Sequence, residues 1–232
     1  CKPTEIYFTA GGSESDNTAI KGIAHANKNK GNHIITSKIE HPAILETCKE
    51  LEKEGFEVSY ISVDENGQIN LEQLKNAIRP TTILISVMFA NNEIGTIEPI
   101  KEIGKIAKEH KIYFHTDAVQ AVGNLKINVQ ELNIDSLSLS GHKFYGPKGI
   151  GVLYMRTGVN FQKFVAGGHQ ERNKRAGTEN VPGIVGLASA LERAYNTMDE
   201  HNKKIKELRD YYEAEVKAKI PYMKINGDIN NR

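Results

Sequence analysis

Thr82-Ile83-Leu84-Ile85-Ser86-Val87-Met88 is a strand-like run with no regular alternation of polar and apolar residues. A strand with one wet face alternates, whereas a continuous run suggests burial on both faces, as in a mostly parallel sheet covered by helices. Working outward, Ile100 to Lys108 reads as helix and Ile112 to His115 as strand again. Upstream, Ile6 to Thr9, His33 to Thr36 and Glu57 to Ile61 read as strands. Between them Ser15 to Asn27, Pro42 to Glu54 and Leu71 to Ile78 read as helices, the first with Ala19, Ile20, Ile23 and Ala24 at helical spacing. Downstream come the alternating segment Asp135 to Ser140, a strand at Gly151 to Met155, and a helical region from Gly183 to Ala218. This order of short strands and helices predicts an α/β fold of three layers, α/β/α, around a mostly parallel mixed sheet.

Size and composition narrow the function. A chain of 232 residues with 39% hydrophobic content is long enough for one large domain, or one domain and part of another. Thirty Lys and Arg against 29 Asp and Glu leave a formal charge of +1, without the basic footprint that nucleic acid or an anionic membrane attracts. Two cysteines, Cys1 and Cys48, are too few for a disulfide framework or a thiolate zinc site. No apolar run approaches the roughly 20 residues of a membrane span. The expectation is a reducing, cytoplasmic compartment. Both ends read as cut, and a domain change is expected near Asn196 to His201, inside a helix whose charged half, Glu200 to Arg209, reads as a solvated face.

Six segments carry candidate chemistry. Thr9-Ala10-Gly11-Gly12-Ser13-Glu14-Ser15-Asp16-Asn17 runs from a strand through two glycines into a helix start, where free amides and the Ser13 hydroxyl suit a phosphate. Its spacing is that of neither a dinucleotide fingerprint nor a P-loop. Glu40-His41-Pro42 puts an imidazole past the end of a strand, at the edge where ligands of open α/β sheets gather. Asn91-Asn92-Glu93-Ile94-Gly95 follows the Thr82 strand. The strand Tyr113-Phe114-His115-Thr116-Asp117 ends in a carboxylate and continues into Ala118-Val119-Gln120. Ser140-Gly141-His142-Lys143 presents a lysine in a Gly-punctuated turn, where loss of solvent would lower its pKa and favour attack on an aldehyde. The polar loop Gly167 to Asn180 is longer and richer in donors than a connector needs. His41, His115, Asp117 and His142 match no zinc spacing, and no metal is expected.

Taken in order, these segments resemble the NifS/IscS-type cysteine desulfurases, pyridoxal phosphate (PLP) enzymes of fold type I in the class V aminotransferase superfamily. The resemblance covers nearly the whole chain and is specific because all six motifs stand in register. It implies Lys143 as the Schiff-base lysine, Asp117 as partner of the pyridinium nitrogen and His41 stacked on the ring as a further catalytic group. It further implies Gln120 and Asn92 on the ring substituents, and Gly12, Ser13, Ser140 and His142 on the phosphate. Thr178 would reach the phosphate of a neighbouring subunit in a homodimer. Family members more often carry Thr where this chain has Ser13, which keeps the hydroxyl.

The implied reaction takes sulfur from L-cysteine, leaving L-alanine and a protein persulfide for iron-sulfur cluster assembly or thiolation through an acceptor or scaffold protein. The resemblance implies residues 1–197 as the large PLP-binding domain and 198–232 as a connecting helix with the start of a smaller domain. The family's nucleophilic Cys and carboxylate-binding Arg lie beyond the matched residues. Cys48 reads as a buried structural thiol, so the chain alone is expected to be inactive. The rivals are another fold-type I enzyme, a selenocysteine lyase or aminotransferase, and a non-catalytic dimerising scaffold.

Overall fold

The computed structural model describes residues 1–232. Its strands are β1 (Ile6–Thr9), β2 (His33–Ser37), β3 (Glu57–Ile61), β4 (Thr82–Ser86), β5 (Tyr113–Asp117), β6 (Ser136–Ser140) and β7 (Gly151–Met155). Its helices are α1 (Gly12–Ala26), α2 (Pro42–Lys53), α3 (Leu71–Ala77), α4 (Ile100–Glu109), the single turn α5 (Gln170–Asn173) and α6 (Val181–Lys219). All seven strands join one sheet in the order β1-β7-β6-β5-β4-β2-β3. Neighbours from β3 through β6 pair in parallel, and β7 is antiparallel to both β6 and β1. The sheet is therefore mixed and mostly parallel, as expected.

Successive strand residues point to opposite faces, and the core divides accordingly. On one face Ile34, Leu84 and Leu153 meet Ala19, Ile20 and Ile23 of α1 and Ile44, Cys48 and Leu51 of α2. On the other, Ile35, Ile85 and Phe114 meet Leu74 of α3, Ile103 and Ile106 of α4 and Leu187 of α6. Three layers result. Strands β2, β4, β6 and β7 are buried along their whole length, which is why β4 shows no alternation.

In β6 the alternation has a different meaning. Leu137 and Leu139 join the core under α4 and α6, while Ser136 and Ser138 are fully buried on the opposite face, and α1 packs on this strand. The small hydroxyls admit the helix closely and offer polar partners beneath it.

Several boundaries move for physical reasons. Helix α1 starts at Gly12 rather than Ser15, so the glycine turn itself forms the first helical turn. Strand β4 stops at Ser86 rather than Met88, because the Met88 amide leaves the ladder and donates to Glu40 Oε1 at 2.9 Å. Helix α6 begins where Asn180 caps the Gly183 amide at 3.1 Å, and it runs unbroken through Asn196 to His201. Beyond it the chain returns to the turn after β4: the Ile97 amide donates to Asn231 O at 3.0 Å and the Asp228 amide to Thr96 Oγ1 at 3.0 Å.

Candidate active site

Parallel pairing sets the ends of β2, β4, β5 and β6 along one edge of the sheet, and the segments that follow them close a cavity of about 220 Å³. Gly12, Ser13, His41, Asn92, Asp117, Gln120, Ser140, His142 and Lys143 all line it. Of the residues assigned to the site from the sequence, Thr178 alone lies elsewhere, exposed in the loop before α6.

The start of α1 is built for close approach. Helix first turns leave amides without intrahelical acceptors, and Gly12 adds no side chain to cover them. A Cβ at Gly12 would sit 2.7 Å from Val119 Cγ2. Glu14 fixes the turn from below: its Oε2 accepts from the Ala10 amide at 2.9 Å, and its carboxylate takes two bonds from Arg175, at 2.8 and 3.1 Å. This bidentate pair ties the Gly167 to Asn180 loop to the cavity wall, so the loop is anchored rather than loose. Glu171, Arg172 and Asn173 in that loop all adopt positive φ, a sparsely populated region for non-glycine residues.

His41 does two jobs. Its Nδ1 accepts from the Ala43 amide at 3.1 Å as the N-cap of α2, which orients the ring and leaves the proton on Nε2 in the neutral form. The same ring faces the cavity. Asn91 organises the next segment, its Oδ1 accepting from the Glu93 and Ile94 amides at 2.9 and 3.0 Å, and thereby presents Asn92.

Lys143 stands in a 3-10 turn (Gly141–Phe144) that leaves β6 directly, closed by Tyr145 in the left-handed region. Ser140 Oγ and His142 Nδ1 lie 2.9 Å apart beside it. The lysine is exposed, between the cavity and a larger cleft of about 760 Å³ under α6, so the loss of solvent expected of it is not met in this chain. Its turn nevertheless aims it at the cavity that Asp117 floors.

Asp117 is 6% exposed, with Oδ1 accepting from the Val119 amide at 2.9 Å. Burial raises its pKa, while that hydrogen bond, His41 and Lys143 pull it back. Two further buried acids lie at this level. Glu40 is pushed up to about 8 by burial, although Ser37 Oγ and the Met88 amide both donate to its Oε1. Asp16 is raised well above the usual carboxylate range by burial and by Asp117. His115 is held neutral by burial, its pKa pushed down to about 3.

Asp16, Met88 and Val119 lie in segments singled out from the sequence but carry no role there, and Ala90 falls outside those segments; all four line the cavity. Asp16 sits one turn inside α1, on the cavity wall. Donor atoms of Asp16, His41 and Asp117 lie within 4.8 Å of one another, a grouping different from the four residues weighed as metal ligands. Cys48 is fully buried and its thiol is pushed up to about 12 by burial, in keeping with a structural residue; Cys1 is exposed.

The chain is similar to known proteins over nearly its whole length. The model of the family described as aminotransferase class V matches residues 2–232. A cysteine desulfurase IscS of Clostridium botulinum strain Hall is 62% identical over 230 residues, covering 98% of this chain and 58% of that protein. A solved NifS-like protein superposes with a TM-score of 0.88 at 43% identity, over 90% of this chain and 58% of the other. A structure described as SspA in complex with cysteine gives 0.80 at 50% identity, over 83% of this chain and 56% of the other. The chain thus spans less than two thirds of the length of these relatives.

Proposed function

Because the chain belongs to the class V aminotransferase family, whose members of the cysteine desulfurase type depend on PLP, we propose that it forms the cofactor-binding part of a cysteine desulfurase. One observation carries this reading: residues scattered from Gly12 to Lys143, assigned through the family resemblance of their motifs, line a single cavity at the sheet edge. That cavity suits the cofactor chemically, with a glycine wall and the Ser13 hydroxyl at the start of α1, the Ser140 hydroxyl at the end of β6, an acid on its floor and an amine at its rim.

When bound, PLP supplies an aldehyde for an amine and a conjugated ring that draws electron density from the substrate Cα. Lys143 Nζ would hold the covalent link and later move a proton at Cα. Asp117, through the oxygen not engaged by Val119, would keep the ring nitrogen protonated. The His41 ring, oriented by its capping bond, would lie against the cofactor face, while Gln120 and Asn92 would bond ring substituents. Gly12, Ser13, Ser140 and His142 would bind the phosphate. Thr178, exposed and away from its own cavity, would serve a second copy's phosphate in a homodimer.

In this reading L-cysteine is the substrate, and a thiolate takes its sulfur for an acceptor or scaffold protein of iron-sulfur assembly or thiolation. Cys48 is unsuited to that step: with a pKa of about 12 it carries almost no thiolate at neutral pH. The sulfur-accepting thiol is therefore assigned to the part of the family's length that this match does not span. Residues 1–197 would be the large domain and 198–232 the passage toward a smaller one. No helix is long and apolar enough to cross a membrane, which is compatible with a cytoplasmic setting.

Equilibrium dialysis tests the phosphate part of the site. The chain is expected to retain PLP well above pyridoxal, and Ser140→Ala to lose about 1 kcal/mol of that preference, the worth of one hydrogen bond. Equal retention of the two compounds would contradict the proposal.

A further inference from the structure

Behind Asp117 lies a carboxyl group that the cofactor chemistry described so far does not use. Asp16 is 1% exposed, its Oδ1 has no hydrogen-bond partner, and it belongs to the wall of the cavity. One of its oxygens, one of Asp117 and one nitrogen of His41 fall within 4.8 Å of each other. Two carboxylates this close, away from water, do not both ionise, because each raises the cost of charge on the other.

The neighbours decide which one keeps the proton. From β5, Asp117 is served by the Val119 amide and faced by His41 and Lys143, all favouring its charge. Asp16 has less support, from Ser138 alone. His115, also on β5, stands 3.7 Å from its Oδ1, too far for a hydrogen bond, and is neutral, lying 2.9 Å from Ser86 Oγ and 3.0 Å from Ser138 Oγ. Ser138 of β6 is the one neighbour favouring charge on Asp16, whereas Glu40, from the segment after β2, disfavours it.

We infer that Asp16 is a positioning residue for Asp117: it holds the proton of the pair, so that the cavity floor offers one negative charge to one protonated ring nitrogen. The inference rests on the PLP reading for its purpose, but the location of the proton does not. With both acids ionised, the floor would repel the cofactor's phosphate and bind any cation; with both neutral, it would not hold the ring nitrogen in its protonated form.

Infrared difference spectroscopy of the cofactor-free chain at neutral pH decides where the proton lies. Asp16→Asn is expected to remove a protonated-carboxyl band that Asp117→Asn shifts but does not abolish, because burial, more than the Asp117 charge, keeps Asp16 neutral. Glu40→Gln, measured alongside, identifies the separate band of the other buried acid. No band lost in Asp16→Asn would overturn the inference, and so would a band lost only in Asp117→Asn.

PLP titration then reads the consequence. Asp16→Asn, neutral and of the same shape, should change PLP affinity by no more than about threefold, while Asp117→Asn should weaken it about tenfold or more, as expected for losing a charged hydrogen bond. A tenfold loss in folded Asp16→Asn would mean that its charge holds the cofactor, contrary to the inference. Failure of the wild-type chain to bind PLP would instead overturn the cofactor reading and leave the infrared assignment standing.

Discussion

Glu40 shows how a single residue ties the site to the stability of the fold. Only Oε1 is bonded, Oε2 is unpartnered, and burial lifts the pKa from an ordinary 4.5 to about 8. A carboxyl raised in this way contributes stability that is fully present below about pH 4.5 and is lost as pH rises toward 8. The buried histidines act at the other end. His33 and His115, lowered to about 4 and about 3, cost stability only below about pH 6.5. Between pH 6.5 and 8 the acid effect stands alone. Denaturant midpoints should fall across that window in the wild type, by up to about 1.4 kcal/mol per pH unit for each such group. Glu40→Gln should flatten the decline, and an unchanged slope would mean that Glu40 is ionised in the folded chain. At this scale the sequence was partly legible. Asp117 and Lys143 could be named from their motifs, but the burial of Asp16 and Glu40 could not, because the first depends on α1 lying across β6 and the second on the segment after β2 meeting Met88 after β4.

At the scale of elements, the decisive one is α1. Its first turn forms one wall of the cavity, and its position depends on Gly12, on the hydroxyl face of β6 and on the Glu14 to Arg175 pair. Gly12→Ala would push a methyl to 2.7 Å from Val119 Cγ2, where a β-branched side chain has little freedom to yield. The expected cost is about 1 to 3 kcal/mol of overpacking, with weaker PLP binding from the narrowed wall. Thermal unfolding and PLP titration of the variant check both, and an unchanged melting temperature together with unchanged affinity would contradict the close approach. The helix was legible from Ala19, Ile20, Ile23 and Ala24, yet its start was read three residues late. Two glycines look like a turn, and only the packing of Gly12 against Val119 and Ser140 shows why the helix begins there. The 3-10 turn under Lys143 was readable as a turn; the lysine's exposure, with the cleft under α6 on its other side, was not.

On the scale of the whole molecule, strand order does what local pattern cannot. The sequence indicated a parallel, doubly covered sheet, because β4 is continuous and helices intervene. It could not give the order β1-β7-β6-β5-β4-β2-β3, in which β4 sits between β2 and β5. That order brings His41, Asn92, Asp117 and Lys143 to one edge, and it makes the antiparallel return from β6 to β7 the carrier of the lysine turn. The reading of six weak motifs as one site therefore depended on resemblance, and the sheet supplies the physical reason they converge. In the function proposed, Lys143 is the covalent anchor of the PLP site. The most direct test records the visible absorption of the chain with PLP, compares Lys143→Ala, and maps the borohydride-trapped adduct by mass spectrometry. A visible band is expected that disappears in the variant, with the adduct on Lys143; folded wild-type protein with no band, or an adduct on another lysine, would rule out that role for Lys143.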